Sequence, residues 1–313
     1  MVVLTTPFDE NLEIDEAGLR SNVNHLVALE CVGSLYVGGI YQEAQSLTFA
    51  EQKRVIEIVL SEVAGRKPVM VNTGMTAIAE TVELTQHAQE QGADLAMIFP
   101  PLLGARTRQG VIDYYRTVAR SVDMGLALYN TTLKENGFYI DVSMLEEILN
   151  EENYCALKEA SFSPSTYLDT LQRLGKDIVV SCPVEEWWIY GRTMLPDYAA
   201  DVLLATSRPL YLQTDKKPYL SNFLDAARSG NSRDIAAALQ QVLKVADPIH
   251  NSSLKTGSHN PALTKAVTEM MGMVSGPVRP PLSWPEPAAL AEAREALEAA
   301  GLIDTYRAPS ATS

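Results

Sequence analysis

Asn153-Tyr154-Cys155-Ala156-Leu157-Lys158-Glu159-Ala160-Ser161 is an apolar run that ends on a lysine. It has the make-up of a short buried strand, which would put the Lys158 stem in an apolar wall and its amine at the strand's mouth. Desolvation there disfavours the ammonium form, and an amine held neutral near pH 7 can attack a carbonyl carbon. The ordinary alternative is a lysine that snorkels to solvent or pairs with a neighbouring acid such as Glu159. What surrounds the strand decides between the two.

Outward from this stretch, short β-branched runs alternate with longer amphipathic segments, the pattern of βα units around a parallel sheet. Strands are predicted over 2–5, 33–37, 68–72, 95–98, 125–129, 154–158, 178–181 and 201–204. From the second onward their C-terminal ends fall at 37, 72, 98, 129, 158, 181 and 204, in steps of 35, 26, 31, 29, 23 and 23 residues. A strand, a helix and two loops fill about that length, so the expected fold is α/β, a (β/α)8 TIM barrel. Helices are expected over 15–29, over 54–64 after a capping box of Thr48 and Glu51, and over 76–91 before the glycine stop at Gly92. Others are expected over 141–149, 163–174 and 217–229. Beyond Gly230 only helical pattern remains, over 232–249, 260–271 and 287–299. Residues 1–229 are therefore assigned to the barrel and 230–313 to a C-terminal helical extension packed on it. A doubly wound open sheet competes, but no GxGxxG follows an early strand.

Composition narrows the partners. Of the 313 residues, 46% are hydrophobic and 20% charged, the balance of a globular protein. A net charge of -14 argues against nucleic acid or an anionic membrane as the main partner, since both select for basic patches. Cys31, Cys155 and Cys182 are widely spaced and odd in number, which fits reduced thiols. No apolar run reaches membrane-spanning length, and Met1-Val2-Val3-Leu4 passes straight into Thr5-Thr6-Pro7 without a signal pattern. A cytoplasmic location is expected.

In a barrel the chemistry sits at the C-terminal ends of the strands. The candidates there are Asn72-Thr73, Tyr129-Asn130, Lys158, Ser181-Cys182 and Leu204, with the loop Gly38-Gly39-Ile40-Tyr41-Gln42-Glu43. Tyr129 and Lys158 end consecutive strands and can converge on one pocket. A lysine forms a carbinolamine and then an iminium, and a phenol beside it moves the protons. The alternative for Tyr129 is a rim aromatic whose hydroxyl merely finds a partner. His25, His87, His250 and His259 form no HxH or HxxxH pair and read as surface or packing residues, so no metal is expected. There is no GxSxG elbow and no P-loop. Trp187-Trp188 with Tyr190 form either a substrate wall or a core cluster.

Taken together these segments resemble the dihydrodipicolinate synthase / N-acetylneuraminate lyase family of Schiff-base aldolases over nearly the whole chain. Thr5-Thr6-Pro7-Phe8-Asp9 resembles its opening strand, and Val37-Gly38-Gly39 with Glu43 and Ser46-Leu47-Thr48 its glycine-rich loop and second helix start. Ala127-Leu128-Tyr129-Asn130 is similar to its YN motif, and Ala156-Leu157-Lys158-Glu159-Ala160-Ser161 to its lysine motif. Asn260-Pro261 through Lys265, and Arg279-Pro280-Pro281-Leu282, resemble its last helices. The resemblance implies an imine on Lys158, proton transfer by Tyr129, no metal or organic cofactor, and a homotetramer built as a pair of dimers.

Departures bear on the substrate. The family's loop carries a hydroxyl pair after its glycine, and here those positions are Ile40 and Tyr41. No tyrosine stands in Phe99-Pro100-Pro101-Leu102-Leu103, where the synthases supply one to a neighbouring subunit, and Lys134 falls where they hold an arginine. These differences argue against the lysine-biosynthetic reaction. The hydratase-aldolase subgroup also breaks the hydroxyl pair with an aromatic, and its acidic-aromatic stretch is similar to Glu185-Glu186-Trp187-Trp188-Ile189-Tyr190. The expectation is a lyase joining or cleaving a 2-oxo acid such as pyruvate and an aldehyde. Gly39, Ile40, Tyr41, Lys134, Ser181 and Leu204 would bind the substrate, the loop mainly through backbone N–H groups. The alternatives are a dehydratase or hydratase-aldolase, and a non-catalytic 2-oxo acid sensor.

Overall fold

The computed structural model describes residues 1–101, 106–133, 138–251 and 259–304. Its centre is one curled sheet of seven parallel strands in chain order: β1 (Val2–Val3), β2 (Leu35–Val37), β3 (Val69–Asn72), β4 (Leu95–Ile98), β5 (Gly125–Thr131), β6 (Tyr154–Ala160) and β7 (Val179–Ser181). Helices cover it: α1 (Glu16–Ala28), α2 (Phe49–Val63), α3 (Ile78–Glu90), α4 (Arg108–Ala119), α5 (Val142–Ile148), α6 (Pro164–Leu174), α7 (Glu185–Met194) and α8 (Tyr219–Ser229). With side chains packed on both faces, the strands read as near-continuous apolar runs rather than alternating ones.

Local chemistry sets the helix starts. Asp15 caps α1 by accepting from the Gly18 N–H at 2.8 Å. The Thr48–Glu51 capping box opens α2 as expected, the Thr48 N–H donating to Glu51 Oε2 at 2.8 Å. Ser163 caps α6, with Pro164 in the first turn where its missing N–H leaves nothing unpaired. Helix α4 was not among the expected helices. Its signals are the Thr107 cap and the buried series Val111, Ile112, Tyr114, Tyr115 and Val118 at helical spacing.

The expected strand at 201–204 does not form. Residues 203–206 instead reach both edges of the sheet, by one bond on the β7 side and by a short parallel bridge on the β1 side. Leu204 N–H donates to Cys182 O at 3.3 Å, Thr206 N–H to Met1 O at 3.2 Å, and Val3 N–H to Thr206 O at 3.0 Å. Ala205 is the reason. It takes a φ of 56°, a left-handed conformation that a regular extended ladder cannot contain.

After α8 come α9 (Ser232–Ala246), α10 (Pro261–Met270) and α11 (Pro287–Ala299). The predicted helix over 232–249 ends early because Pro248 lacks the N–H that would continue it. The chain passes into a π turn, Asp247–Asn251, that buries His250. Helix α10 packs on α11 and on the 3-10 turn Ile40–Gln42, so the C-terminal helices touch the loop that follows β2.

Candidate active site

Strand β6 places Lys158 opposite Tyr129 of β5 and Ser181 of β7, on one face of the sheet. Glu159 points the other way. There it accepts from the Ser161 N–H at 2.8 Å, Asn130 Nδ2 at 3.4 Å and the Tyr139 hydroxyl at 3.3 Å. It is therefore no partner for the lysine. Lys158 is 7% exposed, and its amine donates to Ala205 O at 3.2 Å. The left-handed turn at Ala205, which stops an eighth strand, leaves that carbonyl to the amine.

No carboxylate pairs with Lys158 among the described residues. Two phenol rings flank it instead: Nζ lies 4.6 Å from the Tyr129 ring centroid and 5.8 Å from that of Tyr36. Burial brings the amine down from its ordinary 10.5 to about 7, slightly offset by the Cys182 thiol. An amine so placed is substantially neutral at physiological pH, the form that acts as a nucleophile. Phe99, just past β4, stands edge-on to Tyr129 with centroids 4.7 Å apart, which fixes the phenol ring beside the amine.

The loop after β2 is held from many sides. Gly38 has a φ of 79°, and its N–H donates to Gln42 Oε1 at 2.5 Å while its carbonyl accepts from Asn72 Nδ2 at 3.0 Å. A Cβ on Gly39 would lie 2.5 Å from Tyr36 Cε1, so the loop can pass over that ring only with a glycine. Glu43 is left-handed at φ 57°, and bonds to both its carboxylate oxygens hold it there. Lys265 Nζ reaches Oε1 at 2.7 Å and Arg279 N–H reaches Oε2 at 3.0 Å. Lys265 and Arg279 also stack on Phe8, at 4.1 and 4.4 Å from its centroid. Phe8, Glu43, Lys265 and Arg279 come from four separate sequence motifs, and they form one clamp that shapes the loop.

Against the loop lies a cavity of about 470 Å³ whose walls include Ile40, Asn72, Met75, Phe99, His259 and Leu282. Lys158 and Tyr129 are not in its lining, but Phe99, which stands edge-on to Tyr129, is. On the other side of the loop, Ser207 Oγ and Tyr41 Oη approach His250 Nδ1 at 2.9 and 3.3 Å. Burial holds the His250 imidazole well below its usual pKa, helped by Arg208, so it stays neutral. The fully buried Arg208 is spent on Glu185, on Glu186 at 2.6 and 2.9 Å and on Asn251 at 2.9 Å.

The structure thus brings Lys158, Tyr129 and Gly39 together around Tyr36, a residue the strand-end rule passes over because it lies one residue before the end of β2. A polar-tipped aromatic in an apolar strand was its only signal. Ile40 lines the cavity, whereas Tyr41 turns its hydroxyl to His250. The Ser181 hydroxyl is committed to Val202 O, and Leu204 is buried with its N–H on Cys182 O. Lys134 lies outside the described residues. Trp188 is no substrate wall: its indole N–H bonds Ala200 O at 2.9 Å and its ring packs on Phe223 of α8. His250, expected as a surface or packing residue, is buried, and the π turn that contains it brings it to Tyr41 of the loop.

A family model described as the dihydrodipicolinate synthetase family matches residues 1–300. The chain belongs to the dihydrodipicolinate synthetase family. It is accordingly an enzyme of the lyase class, of the aldolase type. It is similar to the 4-hydroxy-tetrahydrodipicolinate synthase of Syntrophobacter fumaroxidans, 28% identical over 97% of this chain and 98% of the relative. A synthase of that name from Methanothermobacter thermautotrophicus is 34% identical, over 51% of this chain and 56% of its own length. Among solved structures, dihydrodipicolinate synthase from Aquifex aeolicus superposes with a TM-score of 0.82 at 27% identity, over 96% of this chain and 97% of the other. A prophage family protein from E. coli K12, solved in complex with pyruvate, shares the fold at a TM-score of 0.82 and 21% identity, over 96% of this chain and 98% of the other.

Proposed function

We propose that this family member is a Schiff-base-forming (class I) aldolase acting on a 2-oxo acid such as pyruvate, with Lys158 as the nucleophile. The observation that carries the proposal is a buried amine, brought to about 7 by desolvation, beside a phenol and without a carboxylate partner. The neutral amine adds to the carbonyl carbon. Tyr129 protonates the carbinolamine oxygen, which leaves as water, and the nitrogen becomes an iminium. Tyr129, left as the phenolate, then takes the proton of the substrate's 4-hydroxyl. That oxygen becomes the aldehyde carbonyl as the carbon–carbon bond between C3 and C4 breaks, and the bond's electron pair forms the enamine and neutralises the nitrogen. In the reverse direction the enamine attacks an aldehyde and Tyr129 supplies the proton to the new alkoxide. No metal or organic cofactor is needed. The relative solved with pyruvate supports the choice of 2-oxo acid.

The same proposal takes residues 203–206 as the eighth position of a (β/α)8 barrel, with 1–229 as the barrel, 230–313 as a helical extension, and a homotetramer as the assembly. Gly39 and Ile40 would meet the substrate with backbone N–H groups. A second reading, a hydratase-aldolase on an aryl-substituted 2-oxo acid, is favoured by the cavity, whose Ile40, Met75, Phe99 and Leu282 walls suit an apolar acceptor. Borohydride added to protein and pyruvate should fix a covalent adduct on Lys158, located by peptide mass. An adduct that persists in Lys158→Ala, or none with any 2-oxo acid, rules the mechanism out.

A further inference from the structure

Tyr36 is 3% exposed, and its hydroxyl has no hydrogen-bond partner among the described residues. Buried polar groups are almost always paired, so a phenol left alone inside a strand calls for an explanation. Its place supplies one. The ring centroid is 5.8 Å from Lys158 Nζ, and the ring carbon that bears the hydroxyl would lie 3.5 Å from a Cβ on Gly39. The unpaired O–H therefore stands where the lysine chamber meets the start of the loop. Gly39 leaves room for it: any side chain there would strike this ring. Ile40 brings no hydrogen-bonding side chain to the same loop, and the Tyr41 hydroxyl is turned toward His250.

A 2-oxo acid joined to Lys158 carries a carboxylate on the very carbon that the nitrogen holds, so that carboxylate must lie within a few ångströms of Nζ and needs a donor. Burial, with the Tyr129 phenol beside it, raises the Tyr36 hydroxyl well above its ordinary range, so Tyr36 keeps its proton and can donate. We propose that Tyr36 is a substrate-contacting residue whose hydroxyl donates to the carboxylate of the imine-bound 2-oxo acid. Its ring and that of Tyr129 flank the iminium nitrogen, where aromatic faces stabilise positive charge. This rests on the imine proposed above, and it assigns a side chain to the recognition of the acid end.

The test is borohydride trapping at Lys158 over a range of pyruvate and, separately, methyl pyruvate concentrations, with thermal melts, for the full chain and Tyr36→Phe. Removing a hydroxyl that nothing among the described residues binds should leave the melting temperature unchanged or higher. For pyruvate, the half-saturating concentration should rise roughly tenfold or more, the worth of a hydrogen bond to a charged group. For methyl pyruvate, which has no carboxylate, it should stay within about twofold. Equal losses for the two substrates, no loss for either, or a lowered melting temperature in Tyr36→Phe would each overturn the assignment to the carboxylate. Failure of the unaltered protein to trap either substrate would instead remove the imine itself, so the two failures are told apart.

Discussion

Lys158 and Lys265 are both buried lysines, 7% and 0% exposed, and the protein uses them in opposite ways. Burial lowers the pKa of each amine. At Lys265, Glu43 sits 2.7 Å away and works against that shift, while Pro277 O takes a second bond at 2.5 Å. Its charge is held and the loop is locked. At Lys158 no carboxylate among the described residues answers the burial; a carbonyl and two aromatic faces meet the amine, which falls to about 7. Burial does not by itself make a lysine reactive. Without a counter-charge nothing repays the desolvation of the ammonium ion, and the neutral amine that the proposed imine needs is favoured.

The largest break in this contrast is Lys158→Ala. It should cut trapping and carbon–carbon turnover by at least about 10³-fold, since the proposed imine forms on this amine. Its melting temperature should not fall, because a buried amine whose ammonium form has no counter-charge is a burden on the fold. Mass spectrometry of the trapped protein and a thermal melt check both. Next comes Lys265→Met, which leaves the Glu43 carboxylate buried without its ammonium partner, holding only the Arg279 N–H bond. A loss of roughly 3–5 kcal/mol is expected in denaturant unfolding, largely restored in Lys265→Met combined with Glu43→Leu.

A pH series sharpens the comparison. The folded pKa of Lys158 lies below its ordinary 10.5, so the reactive neutral amine is lost as pH falls through about 7. Trapping should decline about tenfold per pH unit below that point and level off above it; a rate still climbing at pH 9 would mean an unperturbed lysine. The stability sign follows. Between about 7 and 10.5 the unfolded chain binds the extra proton, so Lys158 opposes folding fully below 7 and progressively less as pH rises to 10.5. The thermal advantage of Lys158→Ala should narrow accordingly. The smallest effect is Thr48→Ala, about 1 kcal/mol for a lost helix cap, with trapping unchanged.

Much of this was legible in the residues. Strand β4 falls where its apolar run lies, and β5 and β6 begin where expected and run two residues longer, because their last residues still find ladder partners. The lysine and tyrosine at matched strand ends were readable because parallel strands of regular spacing put such residues side by side. The eighth strand was not, since nothing in Leu203-Leu204-Ala205-Thr206 announces a left-handed alanine. The clamp was read only as motifs: Glu43 and Lys265 are 222 positions apart, and their pairing exists only once α10 docks on the loop.

The sequence by itself determined the alternation of strands and helices, the caps, and the identity of a lysine at the end of a buried strand. Those are properties of short stretches, set by side-chain period and by backbone hydrogen bonds within a turn or two. Only the tertiary structure decided which of two buried lysines lacks a counter-charge. It also turned Glu159 away from Lys158 and set an unpaired Tyr36 hydroxyl beside the loop. Desolvation and charge pairing depend on atoms brought within a few ångströms from distant parts of the chain, and no local pattern encodes that distance.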